Sequence, residues 1–208
     1  PNIPHKDVPA GSDDKDNKII YESNISLNKN LTEPHWDLAK KYDIIDFELG
    51  TKITGSGFPV YKDKGAKLQR ALISFFLDCN TDAGYEEVQI PHLVNENSAY
   101  GTGKLPDNEG QMYEVTSENL YLIPTAEVPI TNIFRDVIID ASNLPVMRTG
   151  YTPCFRREAG SYGSDVRGLN RLHQFDKVEI VKIEHPKKSY DSLQKMKDHI
   201  EGIIKKLE

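Results

Sequence analysis

Apolar and polar positions recur along the chain at spacings that separate helices from strands. The clearest helical signal covers residues 65–83, where Leu68, Ala71, Leu72, Phe75, Phe76 and Cys79 return at three- and four-residue intervals, marking one buried face. Gly84 follows, where a left-handed helix end is expected. A strand is expected at 86–90, stopped by Pro91. A shorter helix is expected to begin near Pro34, with Thr32 as its cap. Gly55 and Gly57 interrupt the pattern before a strand at 58–61. Residues 95–119 are polar, hold three glycines and read as a mobile loop. A strand at 120–123 runs into Pro124-Thr125-Ala126-Glu127 and a helix to about Val137. Two β-rich runs, 146–158 and 172–183, flank a loop holding Gly160, Gly163 and Gly168, which predicts a long hairpin. The last helix is amphipathic, with Tyr190, Leu193, Met196, Ile200, Ile203, Ile204 and Leu207 on one face. Helices set between hairpin-like strand units predict an α+β domain on a mainly antiparallel sheet flanked by helices.

Composition narrows the class. The chain has 208 residues, 38% of them apolar and 28% charged, which suits a soluble domain with one core. Its longest apolar run, residues 71–77, falls far short of the roughly 20 a membrane span needs. Residues 1–20 are rich in Pro, Asp, Gly and Lys and read as an irregular lead-in. The opening shows no signal-peptide pattern, and a first residue of Pro suggests an N-terminus internal to a longer gene product. Two distant cysteines, Cys79 and Cys154, predict a reducing compartment, no disulfide framework and no zinc site. A net charge of −6 argues against a whole-surface nucleic-acid footprint. Five of the seven arginines nevertheless fall between Arg148 and Arg171. Such a cluster of rigid donor forks on an acidic chain points to a small anionic ligand in a pocket. A solvated arginine-rich loop is the competing explanation.

The hairpin carries the candidate chemistry. Strand side chains alternate faces, so Arg156 and Glu158 share one face and Arg157 takes the other. On the returning strand His173, Phe175, Lys177 and Glu179 lie together. If these two faces coincide, one surface presents a cation, two carboxylates and an aromatic platform, a set suited to a nucleotide beside an amino acid. Arg156 could fork onto a phosphate, and Phe175 could stack on a base for about 1–3 kcal/mol. Glu158 could accept from an exocyclic amine, and Glu179 could hold an ammonium or hydroxyl. The same spacing also fits a solvent-facing salt-bridge ladder, worth below about 1 kcal/mol per pair.

The runs Cys154-Phe155-Arg156-Arg157-Glu158-Ala159-Gly160-Ser161 and Arg167-Gly168-Leu169-Asn170-Arg171-Leu172-His173-Gln174-Phe175-Asp176-Lys177-Val178-Glu179 resemble motif 2 of class II aminoacyl-tRNA synthetases, in the form found in seryl-tRNA synthetases. Residues 65–93 are similar to motif 1, a long helix and a strand ending in proline. Pro124-Thr125-Ala126-Glu127-Val128-Pro129 resembles the serine-binding segment. Asn2-Ile3-Pro4-His5, with Asp13-Asp14-Lys15-Asp16-Asn17, resembles the passage between tRNA-binding arm and catalytic body. The resemblance covers nearly the whole chain, with the motifs in order.

That resemblance implies a truncated class II synthetase-like α+β domain. Residues 1–20 would be the lead-in from an absent tRNA-binding arm, and 21–208 a partial catalytic domain. Motif 1 would span about 65–93, the serine-binding segment 124–129 and motif 2 about 150–183. It implies ATP-dependent activation of serine to seryl-adenylate and transfer to tRNA(Ser), in a cytoplasmic homodimer joined through 65–93. Arg156 would be the catalytic residue, on the α-phosphate. Glu158, Arg171, Leu172 and Phe175 would join it at ATP, and Thr125, Glu127 and Glu179 would join it at serine. Motif 3 and the Mg²⁺ ligands would lie beyond Glu208 and the tRNA arm before Pro1, so the chain alone is expected to be inactive. Each residue also has a plainer explanation: Thr125 as a helix cap, Glu127 as a first-turn carboxylate, and Arg157 and His173 in packing or hydrogen bonding. Two further classes stay open, a ligase loading an amino acid onto a carrier protein and a non-catalytic interaction protein.

Overall fold

The computed structural model describes residues 5, 7–22, 33–158 and 167–207. Thr32, Gly160 and Gly163 lie outside them, as does most of the opening Asn2-Ile3-Pro4-His5 passage. The chain divides into two compact units, Pro1–Pro34 and His35–Glu208. In the first, a 3₁₀ turn at Asp14–Asp16 is capped by the Asp13 carboxylate, which accepts from the Lys15 N–H at 2.8 Å.

The second unit is built on a hairpin of two ten-residue strands. Strands β7 (Val146–Phe155) and β8 (Gln174–Ile183) pair antiparallel in unbroken register from Val146↔Ile183 to Phe155↔Gln174. The short β3 (Glu86–Glu87) joins β7 in parallel, giving the order β3-β7-β8. A second sheet sets β6 (Leu120–Leu122) between β4 (Leu93–Asn95) and β5 (Glu114–Val115), all antiparallel. Backbone bonds tie the two sheets, since the Phe155 N–H donates to the Ile123 carbonyl at 2.9 Å. A small pair, β1 (Ile45–Asp46) and β2 (Val60–Tyr61), completes the strands.

The expected long helix is α3 (Lys64–Asp82), and Gly84 beyond it takes the left-handed φ of 90°. Its apolar stripe is only partly covered. Cys79 is buried, but Leu68 is 55% exposed, because the groove between α3 and β8 has no covering element among the described residues. The last helix, α6 (Ser189–Lys205), likewise leaves Leu193 and Ile204 exposed and buries Ile203. The apolar core lies instead beneath the second sheet. There Val94, Ala99, Met112, Ile123 and Val128 cluster, and Ile90, Ala126 and Ile130 form a neighbouring group.

Several expected elements change length, each for a local reason. The first hairpin strand stops at Phe155 rather than at 158. Beyond it one further ladder bond forms, from the Arg156 N–H to the His173 carbonyl, before Glu158 adopts a left-handed φ of 47°. The helix after Thr125 is α5 (Glu127–Asn132), ending short of Val137 in successive turns that Asp136 closes at φ 60°. The strand at 86–90 is reduced to β3, although the Val88 N–H still bonds the Thr149 carbonyl at 2.8 Å.

Two helices were not anticipated. In α2 (Phe47–Ile53) the Asp46 side chain accepts from the Leu49 N–H. In α4 (Glu96–Gly101) Asn95 accepts from the Ser98 N–H. Both carry a recognisable Asx cap followed by a glutamate in the first turn. The helix near Pro34 is α1 (His35–Lys41).

Candidate functional site

The hairpin register decides which side chains share a face. Thr152 pairs with Lys177 and Cys154 with Phe175, so Gly150, Thr152, Cys154, Phe175, Lys177 and Glu179 all face one way. Thr152 and Cys154 are wholly buried beneath this surface, and burial pushes the Cys154 thiol pKa up. At its upper end Arg156 keeps the register one pair past β7, its N–H donating to the His173 carbonyl at 2.9 Å. Its guanidinium lies 4.9 Å from the Phe175 ring centroid, and its Nε donates to the Pro124 carbonyl at 3.3 Å.

A cavity of about 570 Å³ opens in front of Arg156. Thr125, Glu158 and Arg171 line it with Arg156, and the segment from Gly103 to Met112 forms the facing wall. Glu158 and Arg171 pair at 3.2 Å, with the carboxylate 12% and the guanidinium 56% exposed. The site therefore keeps an exposed cation beside a nearly buried acid. Beneath the cavity floor, the Thr125 hydroxyl donates to Glu179 Oε2 at 2.7 Å. Lys177 Nζ reaches the same carboxylate oxygen at 2.7 Å and Thr125 Oγ1 at 3.0 Å.

Not every expected residue meets in this space. Glu127, the first residue of α5, is exposed; its N–H donates to Thr125 Oγ1 at 3.3 Å. Leu172 is buried and lines the apolar groove beside α3 rather than this cavity. Phe175 attaches through Arg156, and Glu179 through Thr125. His173 is held in place by neighbours. Its Nδ1 lies 2.6 Å from the Tyr113 hydroxyl, and its ring stacks on Phe58 at 5.3 Å.

Residues 95–119, read from the sequence as a mobile loop, instead supply α4, β5 and one wall of the cavity. Asp107 organises that wall by accepting from the Gln111 and Met112 N–H groups at 2.9 and 2.7 Å. Burial raises its pKa, but those backbone donors, with Gly110 and Glu109, outweigh it and hold the carboxyl below its usual range. The sequence did hold a signal. The run Pro106-Asp107-Asn108-Glu109-Gly110 is rich in turn formers, and an aspartate in such a turn tends to bond nearby backbone N–H groups.

On the opposite face of the hairpin, Asp176 accepts from the Tyr151 hydroxyl at 2.6 Å and from the Gln69 amide. Desolvation, followed by that hydrogen bond and the carboxylate charge, drives the Tyr151 pKa well up, so the phenol stays a donor.

The family model for the tRNA synthetase class II core domain (G, H, P, S and T) matches residues 113–208. All of the chain aligns with serine–tRNA ligases of Salinibacter ruber, at 51% identity, and Prosthecochloris aestuarii, at 53%. By sequence and by fold, the chain matches the seryl-tRNA synthetase family. The chain spans about half the length of these curated relatives, 49% in both cases. A Pyrococcus horikoshii seryl-tRNA synthetase solved with ATP superposes with a TM-score of 0.86 at 31% identity, over 99% of this chain and 51% of that one. A cytoplasmic serine–tRNA ligase of Naegleria fowleri solved with AMP gives 0.88 at 27%, over 95% of this chain and 48% of that one. The α+β architecture is thus that of class II synthetase catalytic domains. Among the described residues no helix is long and apolar enough to cross a membrane.

Proposed function

We propose that this chain carries the ATP- and serine-facing half of a serine–tRNA ligase active site, within a whole protein that forms seryl-adenylate and transfers serine to tRNA(Ser). The observation that carries this reading is the convergence of Arg156, Glu158, Arg171 and Thr125 on one cavity, with Glu179 bonded beneath it to Thr125. Similarity to synthetases solved with ATP and AMP supports a nucleotide there.

In this reading a serine carboxylate oxygen attacks the α-phosphorus of ATP, and pyrophosphate leaves. Arg156 lines the cavity and balances the charge that grows on the phosphoryl oxygens. The protein supplies no nucleophile, so rate enhancement rests on position and a preorganised field. To meet the α-phosphate, Arg156 gives up its place over Phe175, which frees the ring face for adenine. Glu158 then accepts from the adenine amine, and Arg171 reaches phosphate oxygens. Thr125, Glu127 and Glu179 hold the serine ammonium and hydroxyl. A site that hydrogen-bonds a hydroxyl rejects analogues lacking it more strongly than a steric pocket does.

Mg²⁺ would accompany ATP in this reading, on ligands outside this chain; among the described residues no group of three or more His, Cys, Asp or Glu could hold a metal ion. The remaining assignments follow the same resemblance: residues 1–20 as a lead-in and 21–208 as the partial catalytic domain, a cytoplasmic homodimer joined through 65–93, and tRNA(Ser) gripped by an arm outside this chain. The half-covered stripe of α3 supports the dimer surface.

Serine-dependent ATP–pyrophosphate exchange tests the reading, run on this chain and on the natural gene product. Exchange is expected in the gene product and not in this chain alone. Arg156→Ala should lower it by about 10²–10³-fold, the usual loss for one charge-stabilising donor, with the melting temperature retained. A folded gene product without exchange would refute the proposal.

A further inference from the structure

Behind the hairpin a buried polar chain crosses from the helices to the site. His199 Nε2 in α6 lies 2.8 Å from Asn80 Oδ1 in α3. Asn80 Nδ2 donates to Thr149 Oγ1 at 2.9 Å, and the Thr149 hydroxyl donates to the Glu179 main-chain carbonyl at 2.8 Å. Asn80 is 3% exposed and Thr149 not at all. The direction of every bond follows from the last acceptor. A carbonyl can only accept, so the single Thr149 proton points at Glu179 and its oxygen must accept from the Asn80 amide N–H. The Asn80 carbonyl is then left for the His199 N–H. Each link is satisfied, with one tautomer and one amide orientation.

A valine at 149 would have the same shape and no polar group to desolvate, so a buried threonine is costly unless its bonds are used. What they hold is specific. Thr149 faces α3, whereas the Glu179 side chain leaves the opposite face to meet Thr125. β8 is the outer strand of its sheet, so no neighbouring strand secures Glu179 from its far side among the described residues.

We infer that Thr149, oriented by Asn80 and His199, is a positioning residue that sets the Glu179 peptide and thereby aims its carboxylate at the amino-acid pocket. This inference rests on the serine-pocket reading of Glu179 given above. It makes the packing of α3 and α6 a determinant of serine affinity, although neither helix reaches the cavity.

The test uses Thr149→Val and Thr149→Ser in the natural gene product, with the Michaelis constants for serine and ATP taken from pyrophosphate exchange. One lost hydrogen bond of about 1–1.5 kcal/mol corresponds to a rise of about tenfold in the serine constant. The valine variant should show that rise with the ATP constant within about twofold, and the serine variant should restore it. Equal rises for both substrates, no rise at all, or no rescue by serine would overturn the inference. Should the valine variant not fold, Asn80→Ala, which leaves the Thr149 oxygen without its donor, carries the same prediction at about threefold. Absence of exchange in the unmutated protein would instead fault the functional reading. The relay is then judged by the crystal structure of the valine variant. A Thr125–Glu179 contact lengthened beyond 3.5 Å supports it, and one still at 2.7 Å overturns it.

Discussion

Replacing Thr125 by valine isolates the polar knot beneath the cavity. Thr125 is 3% exposed, and valine keeps its shape while removing the hydroxyl. Three bonds go with it: the donor to Glu179 at 2.7 Å, the acceptor for Lys177 at 3.0 Å and the acceptor for the Glu127 N–H at 3.3 Å. The first involves an ionised, largely buried acceptor, in a class worth about 1.5–3 kcal/mol. The Lys177–Glu179 pair survives and relieves part of that loss, and the longest bond adds little. A net destabilisation of about 2 kcal/mol follows, or about 4–8 °C in melting temperature for a domain of this size. Thr125→Ser keeps the hydroxyl and loses one methyl, about 0.8 kcal/mol. Urea unfolding of both variants measures the order directly, with the slope unchanged if the unfolded state is unaffected. Coupling between Thr125→Val and Glu179→Gln should exceed about 1 kcal/mol in a double-mutant cycle. A valine variant as stable as the serine variant would refute the premise that the knot is held by hydrogen bonding rather than by packing.

Gly65→Ala should destabilise, although alanine in a helix ordinarily gains about 0.8–1 kcal/mol over glycine. The added Cβ would overlap the Ile44 carbonyl, which already accepts from the Lys62 N–H at 2.9 Å, so a cost of about 1–3 kcal/mol in urea unfolding is expected. His199 should make stability fall with acid. Burial first and the Lys206 charge second hold its folded pKa below the unfolded value, so the unfolded chain binds the extra proton. Its contribution is complete above the unfolded pKa of about 6.5 and is lost as the pH drops through that value toward the folded one. His199→Gln should flatten this part of the stability profile, measured by unfolding at a series of pH values.

What could be read from the sequence was what local spacing controls. Alternation on the returning strand places Phe175, Lys177 and Glu179 on one face, and the register confirms it because nothing interrupts β8. Carried past Phe155 the same rule holds for Arg156, whose N–H bonds the His173 carbonyl, and fails at Glu158, which turns left-handed. Glu158 still lines the same cavity as Arg156, but a turn places it there, not a pleat. The wall at Gly103 to Met112 was missed because composition reports polarity, whereas order there comes from one carboxylate gathering turn amides. No periodic signal marks such a device.

The half-covered stripes of α3 and α6 expose a different limit. Their i, i+3, i+4 rhythm correctly gives two helices with an apolar face, and the sequence pattern assigns that face to burial. Leu68 at 55% and Leu193 at 63% exposure show that periodicity encodes the capacity for burial and not its partner. The polar residues within those helices are more informative. Asn80 and His199 interrupt the apolar pattern where their side chains join the relay to Thr149, and a buried polar group persists in a core only where its partners are fixed. The rhythm of a helix therefore locates its face, while the exceptions to that rhythm locate what the helix positions, here the backbone of Glu179.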